Sequence, residues 1–237
     1  MGRRWVKVLA IVVVVLAVLF TAADRIAVHV ADDEATKFAK EKYGYANTTD
    51  GHMNVSIKGF PFLTQAIGGD FGHVTLTAEK FFIDTTGNTQ GGYLNVARLH
   101  LDLHGVNVTS LAARSAEANR VTGTLTLSYA DLSSAVTRLA GGGGPVQVSQ
   151  APGSDGQAAR VKVSGTVRGT ALDATGTLLA QGTELSFTLP GAEQAATVWQ
   201  VSLPEGVGFT EARATEDGVE ISLVGHQVTL GSTRFGR

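Results

Sequence analysis

The spacing of apolar and polar residues divides the chain into three stretches. Val8 to Phe20 is an uninterrupted apolar run, followed by Thr21-Ala22-Ala23. From Asp24 to Tyr43 the period becomes three and four. Ala27, Ala31, Ala35, Phe38 and Ala39 share one side, and Arg25, His29, Asp32, Asp33, Thr36 and Lys40 fall elsewhere. That pattern predicts an amphipathic helix with a narrow, alanine-rich packing face. Asp33 and Lys37 stand four apart in the favourable order, and Gly44 supplies a stop.

Beyond the helix, period two dominates. Val55 and Ile57, then Val74 and Leu76, then Leu99, Leu101 and Leu103, each alternate with polar neighbours. So do Leu125, Leu127 and Tyr129; Leu185, Phe187 and Leu189; and Val219, Ile221 and Leu223. One apolar and one polar face per strand is the signature of an antiparallel sheet wetted on one side. Turn signals separate the runs at Thr86-Gly87-Asn88, Pro152 to Gly156, Gln181-Gly182 and Asp217-Gly218. A second short helix is predicted over Asp131 to Leu139, with Asp131 as its N-cap and Gly141 as its stop.

The fold class is therefore α+β, a long antiparallel meander with a long N-terminal amphipathic helix. Residues 24–237 suit one domain, and Gly141 to Gly144 with Pro145 mark where two sheet-rich halves would divide. No repeat relates the halves.

Composition adds a location. Arg3, Arg4 and Lys7 precede the apolar run and small residues close it, which is the three-part pattern of a secretory signal. The same stretch, from Trp5 to Ala23, would make a helix about 28 Å long, close to the roughly 30 Å of a bilayer's hydrocarbon core. A signal cleaved after Ala23 and a retained anchor both fit. Either way the basic end stays in the cytoplasm and the rest is exported to the outer face of the membrane. The chain has no cysteine, which removes disulfides, thiolate metal sites, a cysteine nucleophile and a lipid-modified N-terminal cysteine. Past the basic start, 16 basic residues face 21 acidic ones (19 less Arg3, Arg4 and Lys7), so nucleic acid is a poor partner.

Candidate chemistry is sparse. His100, Asp102 and His104 share one face of a strand, where a solvated row outweighs a metal site lacking a third partner. Asp32-Asp33-Glu34 reads as a solvated face. No nucleophile elbow, phosphate loop or dinucleotide fingerprint is present, and nothing asks for a cofactor. A non-enzymatic protein is expected.

Gly59-Phe60-Pro61-Phe62-Leu63-Thr64-Gln65-Ala66-Ile67-Gly68-Gly69 stands apart, with four large apolar side chains gathered around a proline. Pro61 suits the first turn of a helix and Gly68 its end. Such a segment either plugs a core or forms the lip of an apolar groove.

At this point the chain resembles the actinobacterial LmeA-type family of envelope lipid-binding proteins. The resemblance rests on Gly59 to Gln65 with the Gly68-Gly69 pair, the only specific part. It extends through Asp24-Arg25-Ile26-Ala27, the Leu99 to Val106 strand, Leu203 to Val207 and Gly218 to Ile221. It implies a tubular fold of the bactericidal/permeability-increasing type, with a curved sheet wrapped around a long helix. It also implies binding of phospholipid, phosphatidylinositol lipids as the ligand class, and a part in assembling or maintaining envelope glycolipids. Phe60, Pro61, Phe62, Leu63 and Ile67 are the expected lipid-contacting residues, with Phe38 on the opposite wall. A structural adaptor of the envelope, or a hydrolase or transferase acting on its lipids, are the competing readings.

Overall fold

The computed structural model describes residues 2–42, 51–84, 93–110, 115–139, 144–153, 158–167, 169–190, 196–201 and 203–230. The expected turn at Thr86-Gly87-Asn88, the stops at Gly44 and Gly141 and the Ser154 to Gly156 part of the next turn lie outside them. Helix α1 (Gly2–Lys42) is followed by strand β1 (His52–Lys58), helix α2 (Phe62–Gly68), β2 (Asp70–Asp84), β3 (Tyr93–Ser110) and β4 (Ser115–Ser128). Helix α3 (Tyr129–Leu139) leads to β5 (Val146–Gln150), β6 (Ala158–Val167), β7 (Thr170–Gln181), β8 (Glu184–Thr188) and β9 (Ala196–Gln200). Strands β10 (Val207–Ala214) and β11 (Gly218–Leu230) close the order.

The α+β class with a long N-terminal helix on antiparallel sheet is what the structure has. Its strands are shared between two open sheets, of order β1-β2-β3-β4-β11-β10 and β5-β6-β7-β8-β9. The second sheet begins at β5, just past Gly144-Pro145, and the chain returns to the first through β10 and β11. The main core lies between the second sheet, α3 and the β4, β10 and β11 side of the first, around Leu127, Leu132, Val161, Leu178, Leu185 and Ile221. A two-residue turn, Gly182-Thr183, ends the β7–β8 hairpin, and Gly182 bonds to Phe209 of β10 in both directions, at 3.1 and 2.7 Å.

Helix α1 runs without a break from the apolar stretch into the amphipathic one. Its packing stripe is Asp24, Ala27, Val28, Ala31, Asp32, Ala35, Thr36 and Ala39, all buried or half-buried. The alanines fall where the period places them, but Asp32 and Thr36 turn inward. The reason is the sheet edge. The Thr36 hydroxyl accepts the Val55 N–H at 2.8 Å, and the Asp32 carboxylate accepts the Ile57 N–H at 2.7 Å. Four helical residues rise about 6 Å and match two strand residues of about 6.8 Å, so two side chains on α1 cover two open backbone groups of β1. An exposed edge strand is thereby closed to other strands. Lys37 pairs with Glu34 at 2.7 Å, not with Asp33.

Two shorter readings also shift. Ser128, not Asp131, caps α3: its hydroxyl accepts the Asp131 N–H at 3.1 Å and donates to the Asp131 carboxylate. Tyr129 therefore opens that helix and leaves the strand pattern. Strands β2, β3, β4 and β11 are longer than their readable alternation, because the apolar phase changes along them. The buried set of β3 is Leu94 and Val96, then Leu103 on the odd phase, then Val106. The changes occur at rungs holding a left-handed residue: Lys80 (φ 53°), Gly105 (φ 61°) and Gln227 (φ 51°). Each reverses which face the next residue takes, and so keeps the apolar side inward over the whole strand.

Candidate lipid site

Helix α2 carries the Pro-Phe-Leu-Thr-Gln run and is held from three sides. Pro61 is its N-cap residue, one position before the expected first turn, and offers no side-chain acceptor. Asp24 of α1 takes that part: it is fully buried, and one of its oxygens accepts the Leu63 N–H at 2.8 Å. Gln65 spans the flanking strands, accepting the Gly72 N–H at 3.0 Å and donating to the Lys58 carbonyl at 3.4 Å. Gly69 (φ 70°) forms the left-handed C-cap, one residue after the expected stop at Gly68. The Phe60–Pro61 peptide is cis.

The predicted contact residues divide by direction. Phe62 is buried and stacks on Phe71 of β2, with centroids 6.1 Å apart. Leu63 and Pro61 are half-buried. Phe60 and Ile67 face outward, and the Arg25 guanidinium lies 5.1 Å above the Phe60 ring. Phe38 is half-buried on α1. It stands 14 residues past Asp24, about 21 Å along the helix, and is not brought to the others.

Phe62 and Phe71 sit at one margin of the inner face of the first sheet. This part of the face has its own cluster, with Leu103, Val106, Ala118, Val121 and Val228 buried. Around it Val74, Leu76, Leu101, Val207 and Leu230 are only partly covered. A row of half-covered aliphatic side chains beside an aromatic pair is an apolar lining with very few polar groups, suited to hydrocarbon. Sequence reasoning found the Phe60 to Gly69 segment but missed Asp24 as its cap, Gln65 as its clasp and Phe71 as its partner. A buried carboxylate after a run of small residues leaves no periodic signal.

The histidine row lies on the opposite, wetted face. His100 and Asp102 are joined there by His73 from β2 rather than by His104. The Asp102 carboxylate binds His73 Nε2 at 2.8 Å and His100 Nε2 at 3.1 Å. The His73 hydrogen bond holds the Asp102 carboxyl below the usual range, against the opposing effect of burial and with help from the charge on His100. His104 stacks on His73 at 4.5 Å. Among the described residues no group of three His, Cys, Asp or Glu side chains is placed to hold a metal.

A helix apolar and long enough to cross a membrane is thus joined to an open sheet with a half-covered aliphatic lining, in an α+β protein of two antiparallel sheets. The family model described as LmeA-like phospholipid-binding matches residues 22–224. The chain belongs to that family. No curated protein and no solved structure matches it.

Proposed function

We propose that the protein holds a phospholipid with its acyl chains along the inner face of the first sheet, entering between α2 and β2. The observation that carries this is the partly exposed row Val74, Leu76 and Leu101, which leads away from the Phe62–Phe71 pair, with Phe62 in the Pro-Phe-Leu-Thr-Gln run and Phe71 on β2. Covering about ten methylenes there would supply roughly 8 kcal/mol, enough for stable retention before the cost of ordering the chains. Phe62, Leu63 and Pro61 form the lip of the entrance. Phe60 and Ile67 stand outside it, and Phe38 lines the far part of the α1 side.

The protein acts without catalysis, at the outer face of the cytoplasmic membrane, in the maintenance or assembly of envelope glycolipids. A phosphatidylinositol lipid is the ligand class that suits this role. The apolar stretch reads as a retained anchor, with Arg3, Arg4 and Lys7 on the cytoplasmic side.

The test is the lipid content of the purified full chain, by native mass spectrometry and by extraction. About one phospholipid per chain is expected, and Leu76→Glu should lower it while circular dichroism stays unchanged. A protein that emerges lipid-free and takes up no phospholipid from vesicles overturns the reading.

A further inference from the structure

Past Ala23, α1 keeps its alanine packing face but departs from a helix in water at four positions. It buries the carboxylate of Asp24 and half-buries that of Asp32, yet leaves Ile26 67% and Val30 59% exposed. The α2 segment also exposes large apolar side chains, with Ile67 on the helix 90% and Phe60 just before it 54% exposed. Phe60 and Ile26 lie close together near the end of the apolar stretch, since Arg25, next to Ile26, sits over the Phe60 ring. The Leu63–Asp24 hydrogen bond of 2.8 Å fixes the start of α2 one residue beyond Ala23, where the Trp5 to Ala23 stretch closes, and four beyond Phe20, the last residue of the apolar run. Ile26 stands about 5 Å past Ala23 along α1, within the interfacial layer that flanks the hydrocarbon core. Cations border the apolar group. Arg25 lies over the Phe60 ring, and Lys58 ends β1 directly before Gly59. An apolar body with a cationic rim matches the boundary between acyl chains and phosphates.

We propose that α2 and the adjoining flank of α1 form a bilayer-insertion surface. In it Ile67 and Phe60 enter the outer leaflet, and Arg25 and Lys58 meet its phosphates. The lipid entrance would then open at headgroup depth, so that a phospholipid leaves the leaflet without crossing water. The purpose of the contact rests on the phospholipid-binding reading; the contact itself is tested apart from it.

The absence of cysteine allows single labels in the full chain. Ile67→Cys, Leu16→Cys within the apolar run and Glu216→Cys in the β10–β11 turn, made singly, would each carry a nitrobenzoxadiazole group. The labelled chains go into phosphatidylcholine–phosphatidylglycerol vesicles containing a doxyl-labelled phosphatidylcholine. The label at residue 67 should shift to the blue and be quenched by the doxyl lipid, as at residue 16, while that at residue 216 is not. An unquenched label at residue 67, with residue 16 quenched, overturns the proposal; if it is blue-shifted as well, a second copy or another protein covers the surface. Ile67→Asp, at a site too exposed to disturb the core, should slow phospholipid exchange with vesicles about tenfold, as expected for losing one inserted side chain. Its lipid content should not change. An unchanged exchange rate counts against insertion. Lipid-free parent and variant, with residue 67 still quenched, overturn the binding reading and leave insertion standing.

Discussion

The Asp24 carboxylate accepts the Leu63 N–H at 2.8 Å, which ties the end of the N-terminal apolar helix to the first turn of α2 across 39 positions of sequence. An aspartate at this point would ordinarily mark re-entry into water. Here it is buried and acts as a cap in trans, because Pro61 has no side-chain oxygen to give.

Asp24→Ala should cost about 1–2 kcal/mol, the range for loss of a helix cap. Asp24→Asn keeps an acceptor for Leu63 and should cost little, since the other Asp24 oxygen has no hydrogen-bond partner. Denaturant midpoints and the hydrogen-exchange rate of the Leu63 amide check both. Equal loss in the two variants would show that charge, not capping, matters at this position.

Thr36→Val leaves the Val55 N–H without its acceptor at the edge of the first sheet. The expected loss is about 1–3 kcal/mol, the penalty for a covered donor left unmade. Because the same change opens the edge of β1, self-association should rise with it. Unfolding midpoint and light scattering, measured on the same samples, separate the two effects.

Asp102 predicts a dependence on pH. Its folded value is depressed, so its contribution is complete above the unfolded value near 3.9 and is lost as the pH falls through the folded one. Asp102→Asn should lower stability at pH 6 by under about 1 kcal/mol, as befits a half-exposed pair. That deficit should shrink below about pH 4. Denaturation at pH 6 and pH 3 is the measurement, and an equal deficit at both would contradict the assignment.

The strands first recognised, around Val55, Val74, Leu101, Leu125 and Ile221, were legible because each has a wet face and a dry one. Strands β5, β6 and β7 are harder to see: β5 is only five residues long, Ala, Gly and Thr are frequent in β6 and β7, and part of their covering comes from α3 and β10. Phase changes at Lys80 and Gln227 were invisible, since neither residue type announces a left-handed backbone. The Ser128 cap was misplaced by three residues because Ser-x-x-Asp offers two capping side chains, and only the backbone course selects between them.

For the site, the sequence by itself determined the materials: an apolar helix behind a basic start, a helix paced in alanine, one-sided strands and an aromatic segment around Pro61. Period and composition are local properties, and a local pattern suffices to read them. Only the tertiary structure decided that Asp24, Asp32 and Thr36 turn inward, that Phe62 and Ile67 of one short helix face opposite ways, and that His73 rather than His104 completes the pair around Asp102. Each of these depends on an unpaired backbone group or a partner supplied from a distant strand, and hydrogen bonding across such separations leaves no trace in local spacing.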